Sequence, residues 1–299
     1  MAPIDNISIV LVTYNSMDII HLFLSQPQLK NKKNIFVVDN SSADKTVSII
    51  QNLHPNVHII RSKKNIGFGS AINLGLKKTN TKYALVINPD TFFSNTFFKN
   101  LNKSIDKYPN AAILAPIIMD DSKFLTPPSK EFYLEELTVN AFDDNSLTDK
   151  KKDFIHGSCF LINQFFFEDN KIFDENIFMF FEDNDLSKTV TKRKLDMVEL
   201  GNCYIYHQGD KSSTPTSHIS AFKNFHYGWS QLYFNSKHNP KWRSIPMNYL
   251  LIINYIKRLL IYSILLNNKR IKPSYFRLRG MIAYILGKKS QDIRENISL

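Results

Sequence analysis

The chain has 299 residues, of which 43% are hydrophobic and 22% charged, and its formal net charge is +11. This length and composition are normal for a globular protein with one large or two ordinary domains, and they exclude a chain that is disordered throughout. The two cysteines, Cys159 and Cys203, are too few for a disulfide framework and favour a reducing cytosol. No charged and then apolar leader precedes the first strand-like run, so we expect the protein to begin and stay in the cytoplasm.

The basic charge is concentrated in the C-terminal part of the chain. Residues 241–299 contain 12 Lys and Arg against 2 Asp and Glu, whereas the preceding 240 residues contain 26 against 25. We therefore predict a main domain over residues 1–240, with halves of about 1–118 and 119–240, and a basic amphipathic helical tail. Because the basic part is also apolar and aromatic, we expect it to contact the inner face of an anionic membrane and not nucleic acid.

Short apolar runs alternate with helix-like stretches through the first half of the chain. The predicted strands cover residues 7–12, 35–38, 57–60 and 83–87, and the predicted helices follow residue 16 or cover residues 41–53 and 69–77. Such alternation is typical of βαβ units, so we predict an α/β fold with a mostly parallel, Rossmann-like sheet flanked by helices. A hydroxyl of Ser41 or Ser42 can cap the second helix, with Asp44 favourable in its first turn.

A polar stretch over residues 120–153 follows, and we predict that it forms a long loop or a lid. It contains Pro127-Pro128 and three successive lysines at 150–152, a composition typical of loops. Strands are expected again around residues 154–162 and 203–206.

Residues 245–266 are mostly apolar, but Asn254, Lys257 and Arg258 interrupt them. These three residues share one face of a helix, and charges at the centre of a membrane span are costly. We therefore predict a helix that lies on a membrane surface, or one that packs on the main domain, in place of a span.

Polar residues end the first two predicted strands. Thr13, Tyr14 and Asn15 follow the first strand, and Asp39 ends the second. Because the carboxyl ends of parallel strands meet at one edge of a sheet, these residues can surround a nucleobase, with Tyr14 stacking on it and Asp39 accepting a ring N–H. The alternatives are that Asp39 caps a helix and that Tyr14 packs in the core.

Residues 65–75 form a glycine-bearing turn that opens into a helix, an arrangement that lets backbone N–H groups approach a phosphate. The candidate binding residues in this segment are Asn65, Gly67 and Asn73. The segment is not a dinucleotide fingerprint, because Ile72 stands where a third glycine is needed and because the segment follows the third strand. Helix–sheet packing is the alternative explanation of its glycines.

Two acidic groups lie about ninety residues apart in the chain. Asn88-Pro89-Asp90 follows the strand over residues 83–87, and Glu182-Asp183-Asn184-Asp185 follows an aromatic stretch. Ligands bind beyond the carboxyl ends of parallel strands, so we expect Asp90 to hold a metal or an anionic donor and the second group to remove a proton. The alternatives are that Asn88-Pro89-Asp90 is a plain turn and that the second group is a solvated acidic start of a helix.

In this order, the motifs resemble those of family 2 glycosyltransferases of GT-A fold, in particular the subgroup that contains bacterial rhamnosyltransferases. The resemblance covers roughly residues 7–240. The segments that carry it are Thr13-Tyr14-Asn15, Val38-Asp39-Asn40, Asn65 to Gly75, Asn88-Pro89-Asp90, Phe173-Asp174-Glu175, Glu182 to Leu186 and His207-Gln208-Gly209.

The resemblance implies an inverting transfer from a nucleotide-diphosphate sugar, expected to be dTDP-L-rhamnose, to a bacterial surface polysaccharide such as O-antigen or capsule, or to a lipid-linked glycan. UDP-galactofuranose and UDP-hexoses are alternative donors. The first half of the main domain would bind the donor and the second half the acceptor. The implied donor-binding residues are Thr13, Tyr14, Asn15, Asp39, Asn65, Gly67, Asn73, Asn88 and Asp90.

The resemblance also implies a divalent metal, Mg²⁺ or Mn²⁺, bound by Asp90 and His207. Asn88 stands at the first position of the family's Asp-x-Asp-like motif, which leaves Asp90 as the carboxylate ligand. Carboxylate oxygen and neutral imidazole suit these ions, although a structural role for His207 is the alternative. Lys211-Ser212-Ser213 is expected to cover the donor phosphates.

The implied catalytic base is Asp183, with Glu182 beside it. General-base help of this kind is typically worth about 10²–10⁴-fold in rate. His156, Gly157 and Asp185 are expected on the acceptor side. Lys188 stands where many relatives have arginine, so pairing near Asp185 is not carried over from the family.

Two other classes of protein compete with this interpretation. A membrane-associated glycan-binding protein without activity would not need Asp90, Asp183 and His207 together. A nucleotidyltransferase would need a glycine-rich, arginine-bearing loop directly after the first strand, where this chain has Thr13-Tyr14-Asn15-Ser16.

Overall fold

The computed structural model describes residues 6–119, 148–208 and 217–292. These residues form one nine-stranded sheet in the order β3-β2-β1-β4-β8-β6-β9-β5, with β7 paired to β9. The strands are β1 (Ile7–Thr13), β2 (Ile35–Asp39), β3 (His58–Arg61), β4 (Tyr83–Ile87), β5 (Thr91–Phe93), β6 (Ala111–Met119), β7 (Lys150–Lys151), β8 (Cys159–Asn163) and β9 (Asp196–His207).

Helices connect and follow these strands. The α-helices are α1 (Ile20–Leu24), α2 (Thr46–Leu53), α3 (Phe68–Leu76), α4 (Phe97–Lys107), α5 (Glu182–Lys192), α6 (Ser217–His238), α7 (Lys241–Ile264) and α8 (Asn268–Ile285). Short 3₁₀ turns cover Pro27–Leu29, Gln164–Phe166, Glu168–Asn170 and Ser290–Asp292.

The predicted α/β fold is confirmed, and one half of the sheet is parallel. Strands β3, β2, β1 and β4 run parallel to one another. Every residue of β2 and β4 is buried, which explains their continuous apolar sequences. The other half of the sheet is mixed, because β8 runs antiparallel to both β4 and β6, and β5 runs antiparallel to β9.

The start of α2 differs from the prediction. The helix begins at Thr46, and neither Ser41 nor Ser42 caps it. Ser41 has a φ of 71° and lies in the left-handed region, while Asp44 Oδ1 accepts a hydrogen bond from the Thr46 backbone N–H at 2.9 Å. The predicted cap is therefore wrong, because the backbone turns at Ser41 before the helix can start.

Two further boundaries are corrected. β8 begins at Cys159, so His156 and Gly157 lie in the turn before this strand and do not open it. Residues 150–151 form β7, antiparallel to β9, where a loop was predicted. Residues 120–147 of the predicted loop lie outside the described part of the chain.

The chain divides into two compact units. The first comprises Met1–Asn65, Ala71–Ile172 and Leu186–Thr214, and the second comprises Ile66–Ser70, Phe173–Asp185 and Pro215–Leu299. The core of the first unit is built from strands and from α1, α2 and α4, with Leu11, Phe23, Val37, Leu85, Phe97 and Leu161 among its buried side chains. Cys159 and Cys203 are free and buried there, and burial raises the pKa of both thiols.

Helices α6, α7 and α8 form the helical part of the second unit. Phe225, Trp229 and Phe276 belong to its core. A Cβ atom at Gly280 would overlap the carbonyl oxygen of Phe225, and one at Gly228 would overlap that of Arg277. Glycine at these two positions therefore lets the backbones of α6 and α8 approach each other closely.

None of the helices in the described ranges combines the length and the apolar character that crossing a membrane requires.

We expect Gly280→Ala to destabilise the protein by about 1–3 kcal/mol, because the added methyl group must push α6 and α8 apart. Ile285→Ala, at an exposed position of the same helix, serves as the control and should stay within about 0.5 kcal/mol of the wild type. The free energy of unfolding in urea measures both. Equal stability of the two variants would contradict the close approach of the helices.

Candidate functional site

Asp90 lies in the turn between β4 and β5. The apolar run of β4 ends at Ile87, and β5 then pairs antiparallel with the end of β9, which sets Thr91 opposite His207. The backbone N–H of Gln208 donates to the carbonyl of Asp90 at 3.0 Å. This pairing brings His207 beside Asp90.

The Asp90 carboxylate is buried and incompletely bonded. Nε2 of His207 lies 3.2 Å from Oδ1 of Asp90, whose side chain is only 1% exposed. The two groups are not aligned for a hydrogen bond, and within the described residues this oxygen has no hydrogen-bond partner. A buried polar oxygen without a partner is costly unless something else binds it.

The pair suits a divalent metal whose ligands come partly from the protein and partly from a substrate. Across the described ranges, no group of three or more His, Cys, Asp or Glu side chains is arranged to hold an ion. Mg²⁺ is commonly held by one or two protein ligands together with substrate phosphates and water. Asp90 and His207 supply one oxygen and one nitrogen donor, which suits Mg²⁺ or Mn²⁺ in such a shared site.

The turn before β8 lies next to this pair. The carbonyl of Ser158 accepts a hydrogen bond from the Asn88 backbone N–H at 2.9 Å. Nδ1 of His156 lies 3.0 Å from the Ser158 hydroxyl and accepts from the Ser158 backbone N–H at 3.2 Å. The rings of His156 and His207 have their centroids 6.0 Å apart, so the structure brings His156 to the Asp90–His207 pair.

Thr13 and Asp39 meet at the carboxyl edge of β1 and β2. They are partners in the parallel register of these strands, and both are buried. Oδ2 of Asp39 accepts a hydrogen bond from the Ser42 backbone N–H at 3.2 Å, and Oδ1 accepts one from the Thr13 hydroxyl at 3.5 Å. The carboxylate thus holds the loop after β2 while lying at the edge where a nucleobase was predicted.

Asn15 joins the loops that follow β1 and β2. Its φ is 51°, its backbone N–H donates to the Ser42 hydroxyl at 2.9 Å, and its Oδ1 accepts from the Ala43 backbone N–H at 2.8 Å. The neighbouring Tyr14 is 39% exposed, so its ring is not a core packing group and is accessible for stacking.

The glycine-bearing segment has several structural roles. Asn65 Oδ1 accepts a hydrogen bond from Asn40 Nδ2 at 2.8 Å. Asn73 is fully buried, and its Oδ1 accepts from the Ile172 backbone N–H at 3.0 Å, so its predicted donor contact gains no support. A Cβ atom at Gly75 would crowd Val10 and Val38, which agrees with the packing alternative at that position.

Gly67 belongs to the second unit. Its φ is 86°, and a Cβ atom there would overlap the carbonyl oxygen of Phe178. The backbone N–H of the next residue, Phe68, donates to the same carbonyl at 3.3 Å. Glycine is therefore required at this position by backbone packing alone.

Glu182 and Asp183 are the first two residues of α5, and both belong to the second unit. Oε2 of Glu182 is shielded from solvent and has no hydrogen-bond partner within the described residues. Burial and, to a smaller extent, the charge of Asp183 raise the pKa of Glu182 to about 8. The Asp183 carboxylate accepts a hydrogen bond from the Asn184 backbone N–H at 2.8 Å. Glu182 therefore keeps its proton near neutral pH.

Asp185 is engaged by two basic side chains of α6. Its carboxylate lies 2.7 Å from His238 Nε2 and 2.8 Å from Lys237 Nζ. Lys237 also binds Asp174 at 2.7 Å. The predicted place of Asp185 on the acceptor side gains no support, because the carboxylate is buried and already bonded within the fold.

Sequence reasoning missed Lys237 and His238. Their available signal was weak, namely two adjacent basic residues at the end of an aromatic helix, 52 and 53 residues from Asp185. Gly209 and the predicted phosphate-covering segment Lys211-Ser212-Ser213 lie outside the described residues.

Residues 8–170 match the family model described as Glycosyl transferase family 2. The chain is 23% identical over 279 residues to N-acetylglucosaminyl-diphospho-decaprenol L-rhamnosyltransferase of Mycobacterium tuberculosis, covering 83% of this chain and 89% of that relative.

Solved structures share the fold. The mannosyltransferase PcManGT from Pyrobaculum calidifontis, in complex with GDP-Man and Mn²⁺, is 12% identical with a TM-score of 0.55, covering 95% of this chain and 88% of that one. GalNAc-T7 with UDP, GalNAc and Mn²⁺ is 14% identical with a TM-score of 0.53, over 76% of this chain, which spans only 47% of that structure. These likenesses confirm the predicted GT-A fold.

The raised pKa of Glu182 predicts a loss of stability as the pH rises. Between about 4.5, the ordinary pKa, and about 8, the unfolded chain has released this proton while the folded chain retains it. Folding is then increasingly disfavoured with pH, and Glu182→Gln, which has no proton to lose, should gain melting temperature relative to the wild type across this window.

Thermal melts at both ends of the window measure this difference. Glu168→Gln, at an exposed position, is the matched control and should change little between them. A Glu182→Gln difference that is the same at both ends would contradict the raised pKa.

Proposed function

The chain belongs to glycosyl transferase family 2, and on that basis we propose that it transfers a sugar from a nucleotide-diphosphate donor to a glycan acceptor in an inverting, metal-assisted reaction. The observation that carries this proposal is the Asp90–His207 pair at the end of β4, with its buried, unbonded carboxylate oxygen. Such an oxygen is available to a metal that accompanies an anionic donor.

We propose dTDP-L-rhamnose as the donor. Support comes from the L-rhamnosyltransferase relative, which aligns with most of this chain. A second support is the resemblance of Asn88-Pro89-Asp90 to the metal-binding motif of the rhamnosyltransferase subgroup. UDP-galactofuranose and UDP-hexoses are the alternatives. The solved structures contain GDP-Man or UDP, but at 12–14% identity they support the fold alone.

The proposed acceptor is a lipid-linked glycan or a growing surface polysaccharide such as O-antigen or capsule. The name of the M. tuberculosis relative describes a sugar carried on a diphospho-decaprenol lipid. An acceptor of that kind would lie at a membrane surface.

Each proposed role follows from the chemistry of the residue concerned. Asp90 and His207 would hold Mg²⁺ or Mn²⁺, which when bound neutralises charge on the donor diphosphate. Tyr14 would stack on the nucleobase. Asp183 would accept the proton of the acceptor hydroxyl as that oxygen attacks the anomeric carbon opposite the diphosphate. Because Glu182 keeps its proton near neutral pH, Asp183 is the base of the two.

Further donor contacts are proposed for Thr13 and Asp39, the last residues of β1 and β2, and for Asn15, Asn65 and Asn88, which follow β1, precede α3 and follow β4. His156 and Gly157 are proposed for the acceptor side. Substitution of the proposed donor contacts should change the Michaelis constant of the donor, and substitution of His156 or Gly157 should change that of the acceptor.

We expect turnover of one donor that requires Mn²⁺ or Mg²⁺ and falls about 10²–10⁴-fold in Asp183→Asn. Asp90→Asn should lose activity as well and should also raise the metal concentration needed for donor binding. The measurement is release of nucleoside diphosphate from a panel of nucleotide sugars. Asp106→Asn, at an exposed position on α4, is the control and should retain full activity.

Calorimetry of nucleotide binding separates the remaining outcomes. Tighter binding of dTDP than of UDP or GDP supports the rhamnose donor, and the reverse order favours one of the alternatives. Full activity of Asp183→Asn would contradict the proposed base. Glycan binding without turnover of any donor would favour the non-catalytic alternative.

We further propose that the protein lies peripherally on the inner, anionic face of a membrane through α7. The outward side of this helix carries large exposed apolar side chains, whereas Ser244 and Tyr255 on its other side are buried. The exposed set comprises Trp242, Ile245, Tyr249, Leu250, Ile256, Leu260, Ile261 and Ile264. Lys257 and Arg258 are exposed beside them, a combination that suits an amphipathic helix at an anionic lipid surface.

We expect the wild type to sediment with vesicles of phosphatidylglycerol and phosphatidylethanolamine, and the double variant Leu260→Glu/Ile264→Glu to remain in the supernatant. The control is Phe165→Glu, which changes a side chain that is 85% exposed in the first unit and should leave sedimentation unchanged. Equal sedimentation of all three proteins would contradict binding through α7, and equal binding to phosphatidylcholine vesicles would contradict the role of anionic charge.

A further inference from the structure

One face of α6 contacts the segment Phe173–Asp185, named here the carboxylate segment because it ends in Glu182, Asp183 and Asp185. His226 stacks on Phe178, with ring centroids 4.6 Å apart. Four residues on, the Ser230 hydroxyl donates to the carbonyl of Met179 at 2.8 Å. After another four residues, Phe234 lies 5.6 Å from Phe181. This spacing identifies a single helix face that follows the segment along its length.

The last turn of α6 adds ionic contacts to this face. His238 Nε2 lies 2.7 Å from Asp185 Oδ1, and both side chains are at least 96% buried. Lys237 Nζ lies 2.8 Å from Asp185 and 2.7 Å from Asp174. The Tyr233 hydroxyl donates to Asp174 at 2.8 Å. A single lysine therefore bonds both the beginning and the end of the carboxylate segment.

Asp174 and Lys237 stabilise each other's charged forms. Burial would raise the pKa of Asp174, but hydrogen bonds from Lys237, the Asn176 backbone and Tyr233 lower it to about 2. Burial would lower the pKa of Lys237, but Asp174 and Asp185 raise it above its ordinary value. Removing one partner from such a cluster leaves a buried charge uncompensated, which is strongly unfavourable.

The backbone between these contacts is in an unfavourable conformation. Phe180 and Phe181 have φ values of 66° and 67°, in the left-handed region that residues with a Cβ atom rarely adopt. Such conformations persist only where surrounding contacts hold them. Tyr227 packs against both rings, with centroids 5.6 Å and 5.3 Å away. This turn directly precedes Glu182 and Asp183, so it sets the direction in which α5 begins.

We infer that Lys237 and His238 are positioning residues for Asp183. Through Asp174 and Asp185 they hold the strained turn at Phe180 and Phe181, and this turn orients the first residues of α5. The inference rests on the proposed function, in which Asp183 is the base. The family-model match ends at residue 170, so it assigns no role to α6.

The test uses His238→Ala and Lys237→Met in the full-length protein. Misplacing a catalytic group by about 1 Å costs about 10²-fold in rate, so kcat should fall by up to about that factor while the donor KM and the dissociation constant of the nucleotide stay within about twofold. His238→Gln retains a donor near the position of Nε2 and should recover most of kcat. Lys241→Met, at an exposed position just beyond α6, is the control and should behave as the wild type.

A double-variant cycle distinguishes positioning from general destabilisation. If His238 acts through Asp183, His238→Ala should cause no further loss in the Asp183→Asn background. Additive losses in the double variant would overturn the inference, as would unchanged kcat in folded His238→Ala and Lys237→Met.

Hydrogen exchange tests the same inference without activity. In His238→Ala and Lys237→Met, amide exchange of residues 180–184 should accelerate while that of β1 and β4 stays unchanged. Unchanged exchange at residues 180–184 would overturn the inference. Loss of activity in His238→Ala with full activity in Asp183→Asn would instead contradict the proposed base, so failure of the inference and failure of the proposed function are distinguishable.

Discussion

The antiparallel pairing of β5 with the end of β9 is the constraint on which the candidate site of the first unit depends. Because β5 follows Asp90 directly, the pairing fixes both Asp90 and His207 in one register. The pairing of β4 with β8 adds the turn that carries His156, which is tied to Asn88 through the Ser158 carbonyl. Three segments that are distant in the chain thus meet because of the strand order.

Asp90 and Asp185 are both almost fully buried aspartates. Their surroundings differ, and the difference indicates a structural role for Asp185 and a ligand-binding role for Asp90. Asp185 has two basic partners at hydrogen-bond distance, so its charge is compensated within the protein. Asp90 has one imidazole contact and an oxygen without a hydrogen bond among the described residues. A buried carboxylate is costly unless it is paired. A bound cation would supply the pairing that Asp90 lacks.

The sequence predicts structure best where the residues of a single segment indicate what that segment forms. The apolar runs predicted β1, β2 and β4, because strands buried on both faces are continuously apolar, and the polar residues after β4 led to Asp90. The α2 start failed because Asp39 binds the Ser42 backbone and Ser41 turns left-handed, competing with the predicted cap. Lys237 and His238 were missed because their contacts with Asp174 and Asp185 span 52 to 63 residues, and local patterns do not report such pairs.

The carboxylate segment shows how geometry can depend on residues outside the motif that marks it. Gly67 looks like part of a phosphate-binding turn, yet its missing Cβ is already required by the carbonyl of Phe178. Phe180 and Phe181 adopt left-handed backbone conformations without glycine. Glycine would make that turn easy but would also leave it free to adopt other conformations, whereas aromatic residues held by α6 restrict it to one. The acidic motif supplies the chemical groups, and the contacts of α6 restrict the backbone that presents them.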